Sequence, residues 1–262
     1  MTTYKDIGVD KGANFVGTIE IQRPPHNFFD MELIQQIATA MEEFDKDDGV
    51  RAVVLCAQGK SFCAGANFND PNRQEQAGTV GGKPTNHLYQ EAVRLLRTKK
   101  PIVAAVHGAA IGGGLGVACA ADFRVTCPEA RFAANFTKLG FHPGFGLTVL
   151  LTELVGKNQA ELLFYTGRRI GGEEATRIGL ASVCVPQDQV RAESMKLAAE
   201  IAESAPLAVI STRKTMRGDL ADRVKAATDH ELKEQTWLRA TDDFKEGVKA
   251  TAERRVANWK GR

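Results

Sequence analysis

The chain has 262 residues, 43% of them hydrophobic and 25% charged, with a net charge of +2. This suits one large domain, or a domain with an appendage, and a soluble globular protein with a substantial core. So small a charge argues against nucleic acid or an anionic membrane surface as a partner.

The opening MTTYKDIGVD has no apolar stretch of the secretion-signal kind. The longest small-apolar region, 102–121, is interrupted by His107 and five glycines, against a membrane span. Five scattered cysteines (Cys56, Cys63, Cys119, Cys127, Cys184) form no C-x-x-C pair. Neither a zinc site nor a disulfide framework is expected, and reduced thiols in the cytoplasm are the plain reading.

In chain order, 13–22 mixes β-branched and polar residues as a strand does, and Pro24-Pro25 stops it. Asp30 is a good N-cap for a helix carrying Leu33, Ile34, Ile37, Met41 and Phe44 on one face. Asp47-Asp48-Gly49 ends that helix. Residues 50–56 form a nearly continuous β-branched run, as in a strand buried on both faces. A loop is expected over 59–71, a Gly-rich loop over 78–84 and a helix over 86–98. Pro101 opens a buried strand over 102–106, followed by HGAAIGGGLG and a helix of small residues. Strands are expected at 123–126 and 131–133, and short helices at 147–155, 159–165 and 173–178. From Gln187 onward the pattern is helical to near Trp259. The change from strand units to a helical tail is placed near residue 200, dividing the chain into 1–200 and 201–262.

Two loops each follow a buried strand and precede a helix: Phe62 to Asn67, and Ile111 to Gly116. Helix N-termini offer unpaired N–H donors at a positive dipole end, and glycine lets a ligand approach the backbone. The glycines of the second loop do not match the G-x-G-x-x-G register, so a dinucleotide site is disfavoured. Neither loop ends in Gly-Lys-Ser/Thr, and no G-x-S-x-G elbow is present.

Several segments in order resemble the enoyl-CoA hydratase/isomerase (crotonase) superfamily. They are RPPHNFF (23–29), GKSFCAGANF (59–68), KKPIVAAVHGAAIGGGLGVACAADFRV (99–125), ARFAANFTKLGFHPGFGLT (130–148), TGRRIGGEEATRIGLASVCVP (166–186), APLAVISTRK (205–214) and DDFKEGVKATAERR (242–255). The resemblance implies an α/β fold, a crotonase-like spiral of ββα units with a C-terminal helical region that builds trimers, often paired as hexamers. It implies an acyl-CoA thioester substrate, with CoA part of the substrate and no separate cofactor or metal. It also implies that the N–H groups of Ala66 and Gly113 hold the thioester oxygen while an enolate forms, and that Ala64, Gly65, Asn67, Phe68 and Gly112 contribute to substrate binding.

The match fails at the acid/base positions. The two glutamates of family hydratases would stand at Gly116 and Phe136, and neither residue moves a proton. A resemblance to 4-chlorobenzoyl-CoA dehalogenase at GGGLG and Phe136 fails in turn. Its aspartate nucleophile would stand at about Gly144. Gly116 and Phe136 are expected to leave a pocket roomy at one point and apolar at another, with Gly144 also lining it. Tyr89 and His142 are the candidate acid/base groups, with His87 nearby. His107 is expected to order the turn before the glycine loop, and Cys63 to be a small buried residue. Lys245, Lys249, Arg254, Arg255 and Lys260 are candidates for the CoA phosphates, although a solvated helix face explains each of them as well. Two other readings stay open: another reaction of the superfamily, such as decarboxylation or C–C hydrolysis, and a non-catalytic acyl-CoA-binding protein.

Overall fold

The computed structural model describes residues 2–68 and 88–262. The expected Gly-rich loop at 78–84, Asn86 and His87 lie outside the described residues.

The first strands are β1 (Ile7–Lys11) and β2 (Val16–Ile21), which pair antiparallel. Helix α1 (Met31–Asp45) follows, with the Asp30 carboxylate accepting from Leu33 N–H at 2.9 Å. Its face of Leu33, Ile34, Ile37, Met41 and Phe44 is wholly buried. The chain then lays one strand in a large sheet and the next in a small one, and follows them with helix. β3 (Ala52–Ala57) and β4 (Ser61–Cys63) precede α2 (Leu88–Arg97). β5 (Ile102–Val106) and β6 (Ala109–Ile111) precede α3 (Gly113–Ala120). β7 (Phe123–Thr126) and β8 (Arg131–Ala133) precede a 3-10 turn at 137–139, α4 (Leu147–Val155) and α5 (Lys157–Thr166). This alternation is the expected spiral of ββα units.

The large sheet has the order β1-β2-β3-β5-β7-β10, parallel from β2 onward, with β10 at Val183–Cys184. The small sheet is β4-β6-β8-β9, with β9 (Arg169–Ile170) antiparallel to β8. Helix α1 covers one side of the large sheet's first strands. α7 (Val190–Glu203) packs on β3, β5 and β7, and α6 (Gly172–Arg177) packs near β10. The parallel strands are therefore buried on both faces, which is why β3 and β5 read as unbroken apolar runs.

The tail consists of α8 (Pro206–Arg217), α9 (Leu220–Leu238) and α10 (Asp242–Ala252). Two expectations need correction. The stretch 59–71, read as a loop, contains β4, and β6 lies in HGAAIGGGLG, where no strand is expected from the sequence; the two pair with each other. Helix also ends at Ala252, short of Trp259: Arg254 takes φ +56 and the last residues are not helical. Among the described residues no helix is long and apolar enough to cross a membrane.

Candidate active site

The three parallel strands of the small sheet end side by side. Ser61 pairs with Ala109, and Ile111 pairs with Ala133, so both glycine-bearing loops leave the same edge. In parallel sheets, ligand sites form outside such carboxyl ends.

Glycine is required where the two loops touch. A Cβ on Gly65 (φ +84) would stand 2.6 Å from Ile111 O, and one on Gly114 would stand 2.0 Å from Cys63 O. Phe29 completes the contact. It bridges Ala66, its N–H donates to Gly65 O at 3.0 Å, and its ring fills the space where a Gly113 side chain would be. The turn that presents Phe29 is braced by buried Asn27, whose amide donates to Gln58 O and Ser61 O at 2.6 and 2.7 Å. Arg23, one turn earlier, pairs with Asp6 and Asp30, each at 2.7 Å.

Gly113 is the first residue of α3, so its N–H has no acceptor inside the helix. Among the described residues, neither Ala66 N–H nor Gly113 N–H donates a hydrogen bond within the chain. Both residues line a cavity of about 440 Å³.

Of the residues expected at the site, Ala64, Gly65, Phe68, Gly112, Phe136, Gly144 and Tyr89 also line this cavity. Asn67, Gly116 and His142 are not among its described lining residues. Gly116 is not roomy: a Cβ there would stand 2.5 Å from the Phe145 ring, which occupies the volume. Phe136 packs edge-on to Phe141 with ring centroids 5.6 Å apart, and Phe141 meets both Phe68 and Phe244. The cavity therefore has an aromatic wall.

At another part of the lining, the Tyr89 hydroxyl donates to Gln235 Oε1 at 2.9 Å. Burial, reinforced by the negative charge of Glu231, raises the Tyr89 pKa and keeps the phenol protonated. Such a group can donate a hydrogen bond but is a poor base. Gln235 Nε2 donates to His142 O and Pro143 O, and Arg239 Nη2 donates to Gln235 Oε1 at 3.2 Å. A Cβ on Gly144 would stand 2.1 Å from the Tyr89 oxygen, so no larger residue fits there without displacing this network.

His142 is half-buried, its Nδ1–H donates to Pro143 O, and its ring lies against His230. His107 donates from Nε2 to Gly59 O at 3.1 Å, within the turn before β6. Burial pushes the Cys63 thiol up to about 12, so it is no thiolate at neutral pH. Lys245, Lys249, Arg254, Arg255 and Lys260 do not line the cavity among the described residues, and Arg255 pairs with Glu246 and Glu253.

Gln235 and Arg239 were not singled out by the sequence, because the fold alone brings α9 to the cavity. Buried Glu231 was missed as well. It accepts from Gly146 N–H at 2.8 Å and from Thr148 N–H, capping α4, and burial raises its pKa. No aspartate or glutamate is among the described residues that line the cavity.

A family model described as enoyl-CoA hydratase/isomerase matches residues 11–262. A crotonyl-CoA hydratase of Syntrophomonas wolfei is 32% identical over 259 residues, covering 98% of each chain. A probable enoyl-CoA hydratase of Bacillus subtilis is 30% identical over 252 residues, covering 94% of this chain and 96% of its own. Among solved structures, an enoyl-CoA hydratase/isomerase from Pseudoalteromonas atlantica superposes with a TM-score of 0.86 at 31% identity, over 98% of this chain and all of that one. A carnitinyl-CoA hydratase from Mycobacterium avium does so with a TM-score of 0.84 at 30% identity, over 99% of this chain and all of that one. With this fold and a match over nearly its whole length, the chain belongs to the enoyl-CoA hydratase/isomerase family of enzymes.

Proposed function

We propose that the protein acts on an acyl-CoA thioester and stabilises an enolate with the N–H groups of Ala66 and Gly113. The carrying observation is that these two donors line one cavity and have no acceptor among the described residues. Adding or removing a group beside a thioester carbonyl moves charge onto its oxygen. Two fixed donors stabilise that charge most where it is greatest, in the transition state. The N-terminus of α3 adds its dipole in the same sense.

The partner groups of an ordinary hydratase are missing from their places, which Gly116 and Phe136 occupy. Hydration needs a positioned water and a proton donor, worth about 10² to 10⁴ in rate. A reaction whose electron pair comes from a breaking C–C bond, as in decarboxylation, asks less of an acid/base pair, because no water has to be activated. The lack of any carboxylate among the described residues of the lining supports this second reading, and the phenol of Tyr89 and the ring of His142 remain the groups to test as proton donors.

Exchange of the Ala66 amide for an ester, by incorporating lactic acid at that position, removes one N–H and leaves the side chain in place. kcat is expected to fall about 10²- to 10³-fold with thermal unfolding little changed. An unaltered kcat would sink the assignment. Crotonyl-CoA hydration at rates typical of the family would show that the glutamate positions do not decide the reaction. Turnover of malonyl-type esters without crotonyl-CoA turnover would favour C–C bond cleavage.

A further inference from the structure

We propose that Arg239, held by Gln235 and Tyr89, makes this cavity selective for acyl-CoA thioesters whose acyl group carries a second, anionic carboxylate. The inference rests on the acyl-CoA reading above and names the substrate class for the same cavity.

Arg239 lines the cavity from the C-terminal end of α9. Its Nε is covered by the protein and has no hydrogen-bond partner among the described residues, so a ligand in the cavity would meet the guanidinium at its Nη groups. No carboxylate pairs with its guanidinium among the described residues, although most other arginines beside the core have one or more. The buried acidic group on the same helix, Glu231, is already taken by Gly146 and Thr148. A half-buried permanent cation without a counter-charge is costly, so an anion in the cavity that reaches its Nη groups gains more than it would from an exposed arginine.

The surroundings are specific to a planar acceptor. Gln235 is fixed by four hydrogen bonds, donating to His142 O and Pro143 O and accepting from Tyr89 and Arg239. That holds the Arg239 fork in one orientation. Its Cζ lies 5.6 Å from the Phe141 ring centroid, beside the aromatic wall. The other two arginines of the lining, Arg131 and Arg169, are exposed on β8 and β9 and suit a solvated phosphate better than Arg239 does. A half-buried guanidinium beside an aromatic wall suits a carboxylate carried on the acyl chain.

The test is calorimetric binding of free CoA, of butyryl-, pentanoyl- and hexanoyl-CoA, and of succinyl-, glutaryl- and adipyl-CoA to the whole protein. At one chain length or more, the carboxylated ester is expected to bind about 10- to 100-fold tighter than its neutral counterpart. Arg239→Met should erase that preference and leave free CoA and the neutral esters unchanged, while Arg239→Lys should keep part of it. No preference in the wild type at any length overturns the proposal, whatever the variants do. Equal weakening of free CoA and all esters by Arg239→Met also overturns it, by assigning Arg239 to the CoA moiety. Failure of every CoA compound to bind would instead overturn the acyl-CoA reading and this inference with it.

Discussion

Gly116 and Phe145 share one volume, and neither residue is intelligible without the other. The Phe145 ring packs where a side chain at 116 would begin, with the Phe29 ring tilted against it at a centroid distance of 5.7 Å. A glutamate placed at 116 would run into that ring, so the position has no room for a side chain unless Phe145 moves. Asp6 is a second residue whose meaning lies in its partners. Its hydrogen bond from Arg23 holds its carboxyl below the usual range, with Gln36 assisting. In the interval between the native value and the unfolded value near 3.9, the unfolded chain binds more protons. The stabilisation is therefore present above about pH 4 and lost as pH falls through the native value. Asp6→Asn is expected to lower stability at neutral pH by about 1–3 kcal/mol and to flatten the acid limb of the urea-midpoint profile. An acid limb as steep as that of the wild type would remove Asp6 from the account.

Among the elements, α8 shows how the tail is fastened to the spiral. Asp122, in the turn after α3, accepts from Arg213 Nε and Arg217 Nε at about 3 Å and from Ile102 N–H at 2.8 Å. Arg213 is almost wholly buried and also reaches Thr98 O. The cluster therefore ties α8 to the end of α2, to β5 and to the turn after α3. Breaking a buried pair from one side leaves an uncompensated charge, which typically costs about 3–5 kcal/mol. Asp122→Ala is expected to lose that much in chemical denaturation, and Arg213→Met in the same background to recover part of it. Additive losses would mean that the two groups are not coupled.

For the whole molecule, the tail supplies Gln235, Arg239 and Thr251 to the cavity. Elsewhere it leaves Leu207, Met216 and Trp237 exposed, the first two by more than 80%. Apolar side chains left so open on adjoining helices are candidates for burial between subunits. We propose a homotrimer or a dimer of trimers, and light scattering coupled to gel filtration should return three or six times the chain mass. Leu207→Glu with Met216→Glu should shift that mass downward. A monomeric wild type would rule out the assembly.

Much of this protein was legible in the sequence because the signals are local. β5, β7, β8 and α4 lie where runs of β-branched residues, prolines and apolar spacing place them. The Asp30 cap and the buried face of α1 follow from side chains within a few residues of one another. The two glycine loops are visible because each combines a strand end with residues that permit close backbone approach. The remainder is non-local. β4 and β6 are three residues long and exist because they pair with each other, which no local pattern announces. Phe145 fills Gly116, Tyr89 is held by Gln235 across 146 positions of sequence, and Arg239 reaches the cavity because α9 packs on α2 and α4. Residue type and spacing encode which donors and turns the chain can form. Which side chains share a cavity is set by how distant elements pack, and that packing put Arg239 in the same cavity as Ala66 and Gly113.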